Sequence, residues 1–157
     1  MIAVTEIETL RFRCPGLEDG GRFPREYTGR GSDLSPEIIL ENLSPEAKTL
    51  AVTLEDLSHP MKDFTHWVMW NFPVRLVIPG RLPKRERLEC GAVQGIAYGM
   101  HRYAGPKPPP FMSHRYRLTV YALDGALGLG PNARKKQFLE AADGHVLQMG
   151  SLTARFP

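Results

Sequence analysis

Short apolar runs, broken at close intervals by proline and glycine, constrain this chain more than any other feature. Fourteen prolines and fifteen glycines fall among 157 residues, mostly between the runs rather than in one tract. Proline fixes φ and removes a backbone donor, and glycine frees the backbone, so each cluster interrupts regular structure. What survives between the breaks has the length of strands. The pattern predicts a mainly β fold with long connections, as one domain over residues 1–157.

Strands are predicted for TEIETLRF (5–12), EIILENL (37–43), TLAVTLED (49–56), FTHWVMWNF (64–72), VRLVI (74–78), RYRLTVYAL (115–123) and SLTARF (151–156). The 64–72 run is apolar nearly throughout, as for a strand buried on both faces. In 115–123, Tyr116, Leu118 and Val120 share one face, and Arg115, Arg117 and Thr119 share the other. Residues 14–36 read as a long loop. One helix is predicted within ARKKQFLEAAD, with Asn132 as its cap, Phe138, Leu139 and Ala142 at helical spacing, and Gly144 beyond its end. Trp67 and Trp70 are expected in the core. Arg134, Lys135 and Lys136 are expected on a solvated helix face, and RLPKRER (81–87) in a solvated loop.

The net charge of +3 conceals an uneven distribution. Residues 1–74 hold 7 Lys/Arg and 12 Asp/Glu, net −5; residues 75–157 hold 13 and 5, net +8. Such a split can mark a nucleic-acid footprint or two strand sets that pair in one fold. The candidate pocket residues, with Asp56 from the first part and Gly105, His114 and Tyr116 from the second, favour pairing, so no nucleic-acid partner is expected. No apolar run approaches the ~18–20 residues that span a bilayer. Glu6 and Glu8 interrupt the segment where a signal peptide needs apolar residues, so a cytoplasmic setting is expected. Cys14 and Cys90 lack a metal-type or redox-type spacing and are expected as two free thiols.

Chemistry concentrates at strand ends. Asp56 closes one strand, His66 opens the next, and His114 and Tyr116 open a third. His114 and Tyr116 are two apart, so they share a face that continues into Leu118 and Val120. His66 stands in the same relation to Val68 and Trp70. The extended loop GPKPPP (105–110) leads to His114 as a wall, and Gly105 is expected to offer its N–H to a ligand. Imidazole and phenol groups with a glycine N–H suit an anionic oxygen. Asp56 is expected to orient an imidazole. Ser58 and Ser113 make a hydrolase conceivable, but there is no GxSxG elbow. The two histidines lack an HxH or HxxxH spacing, so neither a metal nor another cofactor is expected.

At these residues the sequence resembles the phosphatidylethanolamine-binding protein family, also called the Raf kinase inhibitor protein family, in its shorter bacterial and archaeal (YbhB/YbcL) branch. Asp56-Leu-Ser-His-Pro60 followed by His66-Trp67-Val-Met-Trp-Asn71-Phe-Pro73 is similar to the family's first box. Tyr103-Ala-Gly105-Pro106-Lys-Pro108-Pro109 followed by His114-Arg115-Tyr116 is similar to its second. Tyr27-Thr28 through Gly31 to Ser35-Pro36 matches an upstream box, and Gly144-His145-Val146-Leu147 a closing segment. The resemblance covers residues 20–156. It implies two antiparallel sheets with Greek-key connections and a few short peripheral helices. It also implies a small anion pocket carried by Asp56, Pro60, His66, Gly105, Pro108, His114 and Tyr116. The chain departs from the family at Leu57, Ser58 and His59 in the first box, and at Phe111, where the second box has glycine.

The function expected is non-enzymatic: binding of a phosphate-like anion or phosphorylated headgroup, modulating a kinase or protease partner. The alternative is a small hydrolase that uses a pocket histidine and a loop serine. The resemblance also implies a homodimer as the candidate assembly.

Overall fold

The computed structural model describes residues 6–157. Its larger sheet is built on the hairpin of β4 (Thr49–Asp56) and β5 (Thr65–Pro73). The antiparallel pair β8 (His114–Leu123) and β9 (Val146–Phe156) joins it through β8 beside β4. β1 (Glu8–Thr9) and β7 (Val93–Gln94) complete the order β1-β9-β8-β4-β5-β7. The order β8-β4-β5-β7 is a Greek key, with β8 returning beside β4. A smaller sheet runs β2-β3-β6, from Phe12–Arg13, Ile38–Leu40 and Val77–Ile78. All pairs are antiparallel except β1 with β9. The expected two-sheet β fold is the one observed.

The central strands are covered on both faces, which explains why β5 shows no alternation in sequence. Leu50, Val52, Leu54, Trp67, Met69, Tyr116, Leu118 and Val120 pack with Ile38 and Ile78 of the smaller sheet. Ala51, Val68, Trp70 and Tyr121 pack on the opposite face with Phe138 and Ala142 of α1 (Lys135–Ala142). Fully burying a side chain of this size contributes about 1.5–3 kcal/mol. Both tryptophans are buried, as expected. Cys14 is buried and Cys90 half-buried, both free thiols; burial pushes Cys14 up to about 12.

Four local expectations are corrected. The first strand is two short ones in different sheets, with Thr5 outside the described residues. Leu10 turns inward between them, and Asn42 Oδ1 takes the Arg11 N–H at 2.7 Å, so the chain crosses from one sheet to the other. The helix cap is Arg134, not Asn132. A turn from Gly130 to Ala133 comes first, and the Arg134 N–H donates to Gln137 Oε1 at 3.0 Å. Leu139 is exposed, and Lys135 is not on a solvated face: it is buried, with Nζ 2.6 Å from Glu55 Oε2. No helix among the described residues is long and apolar enough to cross a membrane.

Candidate functional site

Asp56 and Tyr116 are direct partners across β4 and β8, so their side chains share a face. His114, two residues before Tyr116, lies diagonal to Asp56, and diagonal neighbours remain within reach of long side chains. His114 Nδ1 donates to Asp56 Oδ2 at 2.7 Å, both groups buried. The other carboxylate oxygen accepts the Ser58 N–H at 2.9 Å. A carboxylate oxygen accepts this bond, so His114 donates from Nδ1 and its Nε2 faces inward.

His66 reaches the same place by a different device. The β4–β5 register runs Leu54 to Trp67 and then Glu55 to Thr65, which leaves His66 as the extra residue of a β-bulge. A bulge re-aims a side chain. His66 therefore leaves the face of Val68 and Trp70, where simple alternation put it, and its ring meets Tyr116 edge-on, 5.4 Å between centroids. Phe64 at 5.5 Å and Tyr98 at 4.9 Å enclose it further. The ring's Nδ1 donates to Ala104 O at 2.8 Å, and His66 O accepts the Ala104 N–H at 3.2 Å. Burial holds the imidazole below its usual pKa, against the smaller opposing pull of the Ala104 carbonyl and Asp56. A neutral His66 with its proton on Nδ1 presents a bare Nε2.

Tyr116 is wholly buried, and desolvation pushes its phenol well above the ordinary range. Its hydroxyl thus stays a donor. Among the described residues Tyr116 Oη and His114 Nε2 are buried without a hydrogen-bond partner of good geometry; the Lys107 backbone N–H exerts only a minor downward pull on the phenol. Trp70 Nε1 is also unpartnered, but it lies on the opposite face, under α1.

The 103–108 segment is fastened from behind. Tyr103 Oη donates to Tyr27 O at 2.6 Å, the Gly29 N–H to Pro106 O at 2.9 Å, and Arg30 Nη2 to Pro108 O at 2.6 Å. The Gly105 N–H donates to Asp33 Oδ1 at 2.7 Å. This corrects the expected role of Gly105. Its N–H is already committed, and its missing side chain admits the Tyr27 and Thr28 backbone rather than a ligand. The upstream box thereby explains itself as the second box's anchor.

Asp56, His66, His114 and Tyr116 thus converge, while Gly105 supports them from behind. Pro108 is buried next to that support, and Pro60 is exposed on the 57–64 loop. Three contributors escaped the sequence reading: Asp33, Phe64 and Tyr98. Asp33 occupied an unassigned place in a quoted box; the other two carried no signal. The serines are engaged elsewhere. Ser58 Oγ accepts the Arg115 N–H at 2.9 Å, and Ser113 Oγ donates to Pro157 O at 3.0 Å. No three of His, Cys, Asp and Glu among the described residues are grouped to hold a metal. A groove of about 660 Å³ is lined by Phe64 and Tyr98 together with Lys135 and Leu139 of α1.

Residues 15–157 match the family described as phosphatidylethanolamine-binding protein. A UPF0098 protein of Methanothermobacter thermautotrophicus is 39% identical over 140 residues, 88% of this chain and 92% of that one. Another, of Pyrococcus horikoshii, is 38% identical over 137 residues, 85% of this chain and 69% of that one. Among solved structures, a Chlamydia trachomatis protein described as a homolog of the family superposes with a TM-score of 0.83 at 28% identity. It covers 96% of this chain and 98% of its own. Escherichia coli YbcL superposes with a TM-score of 0.84 at 21% identity, covering 94% and 97%, a likeness of fold.

Proposed function

The chain belongs to the phosphatidylethanolamine-binding protein family, and we propose that it is a binding protein, not an enzyme, whose buried His66, His114 and Tyr116 take a small phosphate-like anion. The anion is either free or the headgroup of a larger ligand. One observation carries this reading: His114 Nε2 and Tyr116 Oη are buried, adjacent and without a hydrogen-bond partner of good geometry among the described residues. Buried polar groups are nearly always satisfied, and leaving one unpaired costs about 1–3 kcal/mol. Two in one cluster imply a group that supplies the missing bonds. Tyr116 donates from its hydroxyl, and the two imidazoles meet the ligand through Nε2. A proton carried by a phosphate oxygen, or taken up on binding, completes the bond to His66. A kinase or protease partner would meet the 57–64 loop beside the pocket.

Titrating inorganic phosphate into ¹⁵N-histidine-labelled protein tests the reading. The His66 and His114 ring resonances are expected to move together and saturate. Rings that stay still at millimolar phosphate overturn it. The non-enzymatic half is tested with a panel of esters and phosphoesters. Turnover that disappears in both His66→Ala and His114→Ala would make the pocket a hydrolytic one. The homodimer belongs to the same reading: light scattering at twice the chain's mass supports it, and at the chain's own mass removes it.

A further inference from the structure

The 105–113 segment has an outer side that the pocket does not use. At its tip the Phe111 ring is wholly in solvent, and Met112 is half exposed. Phe111 also sits at φ +65°, in the left-handed region that a bulky side chain rarely adopts. A ring this exposed has no packing within the chain to offset the strain. Strained backbone of this kind concentrates at functional sites.

The surface around the tip is cationic. Arg22, Arg25 and Arg30 line a shallow depression of about 250 Å³ with the prolines of the segment, and no acidic residue contributes to it. Arg30 holds the segment in place through Pro108 O. The arginines continue across the neighbouring strands. Arg155 on β9 stands directly opposite Arg115 on β8, both exposed, and Arg22 bridges to Arg155 from the other side. Like charges directly opposite one another destabilise a sheet. None of these five arginines forms an ion pair with a carboxylate among the described residues.

We propose that this face docks on an anionic lipid bilayer, with Phe111 and Met112 entering the headgroup region and the arginines pairing with lipid phosphates. Apolar insertion combined with several surface cations is the chemistry of a peripheral membrane contact. The bilayer fits better than an acidic protein because the apolar element is one protruding ring on a proline-stiffened tip. A folded partner would need a cavity matched to that ring, whereas a bilayer receives it anywhere. The docking does not depend on what the pocket binds.

The test is sedimentation of the full chain with vesicles of phosphatidylcholine alone, or of phosphatidylcholine mixed with phosphatidylglycerol. Partition into the anionic vesicles should exceed that into the neutral ones at least tenfold, and should weaken with salt. Phe111→Gly should lower it about tenfold or more. Glycine accepts φ +65° without strain, so that loss cannot be attributed to misfolding. Arg22→Gln with Arg25→Gln should lower it roughly thirtyfold at low salt. Equal partition into both vesicle types, or Phe111→Gly binding like the parent chain, overturns the proposal. Release from the vesicles by soluble polyglutamate, equal in the parent and Phe111→Gly, would reassign the face to an acidic protein.

Discussion

His114 and Asp56 stand 58 positions apart, yet a 2.7 Å hydrogen bond joins them in a buried cluster. The bond uses one carboxylate oxygen, and the Ser58 N–H uses the other. Asp56 therefore fixes both the tautomer of His114 and the start of the 57–64 loop. Asp56→Ala should cost about 1–3 kcal/mol, because it leaves buried donors unpaired. Urea denaturation gives that number. In the same variant the His114 ring ¹⁵N shifts should report a mixture of tautomers, and a single unchanged tautomer would refute the orienting role.

Tyr116 should separate stability from binding. Its hydroxyl is buried and has no hydrogen-bond partner of good geometry among the described residues. Tyr116→Phe removes that group with little change of shape, so the free chain should be as stable as the parent or more so. Phosphate affinity should fall at the same time by about tenfold, the worth of one donated hydrogen bond. A variant that loses stability while keeping its phosphate affinity would show that the hydroxyl serves the fold.

Much of this site was legible in the sequence, and the reasons for the exceptions are physical. Period-two alternation places His114 with Tyr116, and the structure agrees. The same rule fails at His66, because a bulge inserts one residue and an apolar run offers no alternation to betray it. Asp33 reaches Gly105 across 72 positions, a distance that local patterns do not encode. The charge split was informative. Asp33, Glu55 and Asp56 come from the acidic part, and Gly105, His114, Arg117 and Lys135 from the basic part that meets them.

His66 gives the free chain a pH dependence whose sign follows from burial. Its folded pKa lies below the ordinary value of 6.5. Above that value both folded and unfolded states hold a neutral ring, and His66 contributes nothing to the slope. As pH falls below 6.5 the unfolded state binds the proton first, so stability drops until the folded pKa is reached. Urea midpoints at pH 7.5 and 5.5 should show a larger loss for the parent than for His66→Gln. Saturating phosphate should shrink the difference, because a bound anion favours the charged ring.

Gly105 should be sensitive through packing rather than through ligand contact. A Cβ there would collide with the Tyr27 carbonyl and crowd Asp33 Oδ1 and the Thr28 backbone. Gly105→Ala should cost about 1–3 kcal/mol, the usual penalty for overpacking. The Gly105 amide should also lose hydrogen-exchange protection as its bond to Asp33 lengthens. An alanine variant of parent stability would mean that the 27–33 segment yields easily.

The Lys135–Glu55 pair should respond unequally to removal of its two members. Lys135 Nζ lies 2.6 Å from Glu55 Oε2, both nearly buried, whereas Arg117 Nη2 approaches Glu55 Oε1 at 3.3 Å from a half-exposed position. Glu55→Gln strands the ammonium of Lys135 in the core, and breaking a buried pair in this way costs about 3–5 kcal/mol. Lys135→Met removes the ammonium itself, leaves Glu55 with Arg117, and keeps an unbranched apolar stem in the same space. Its cost should stay within about 1 kcal/mol. Combining the two substitutions should recover most of what Glu55→Gln alone loses, because no buried charge then remains. Urea denaturation of the three variants decides the matter. A Glu55→Gln chain as stable as the parent would show that the Lys135 ammonium escapes to water and that α1 is held by Phe138 and Ala142 alone.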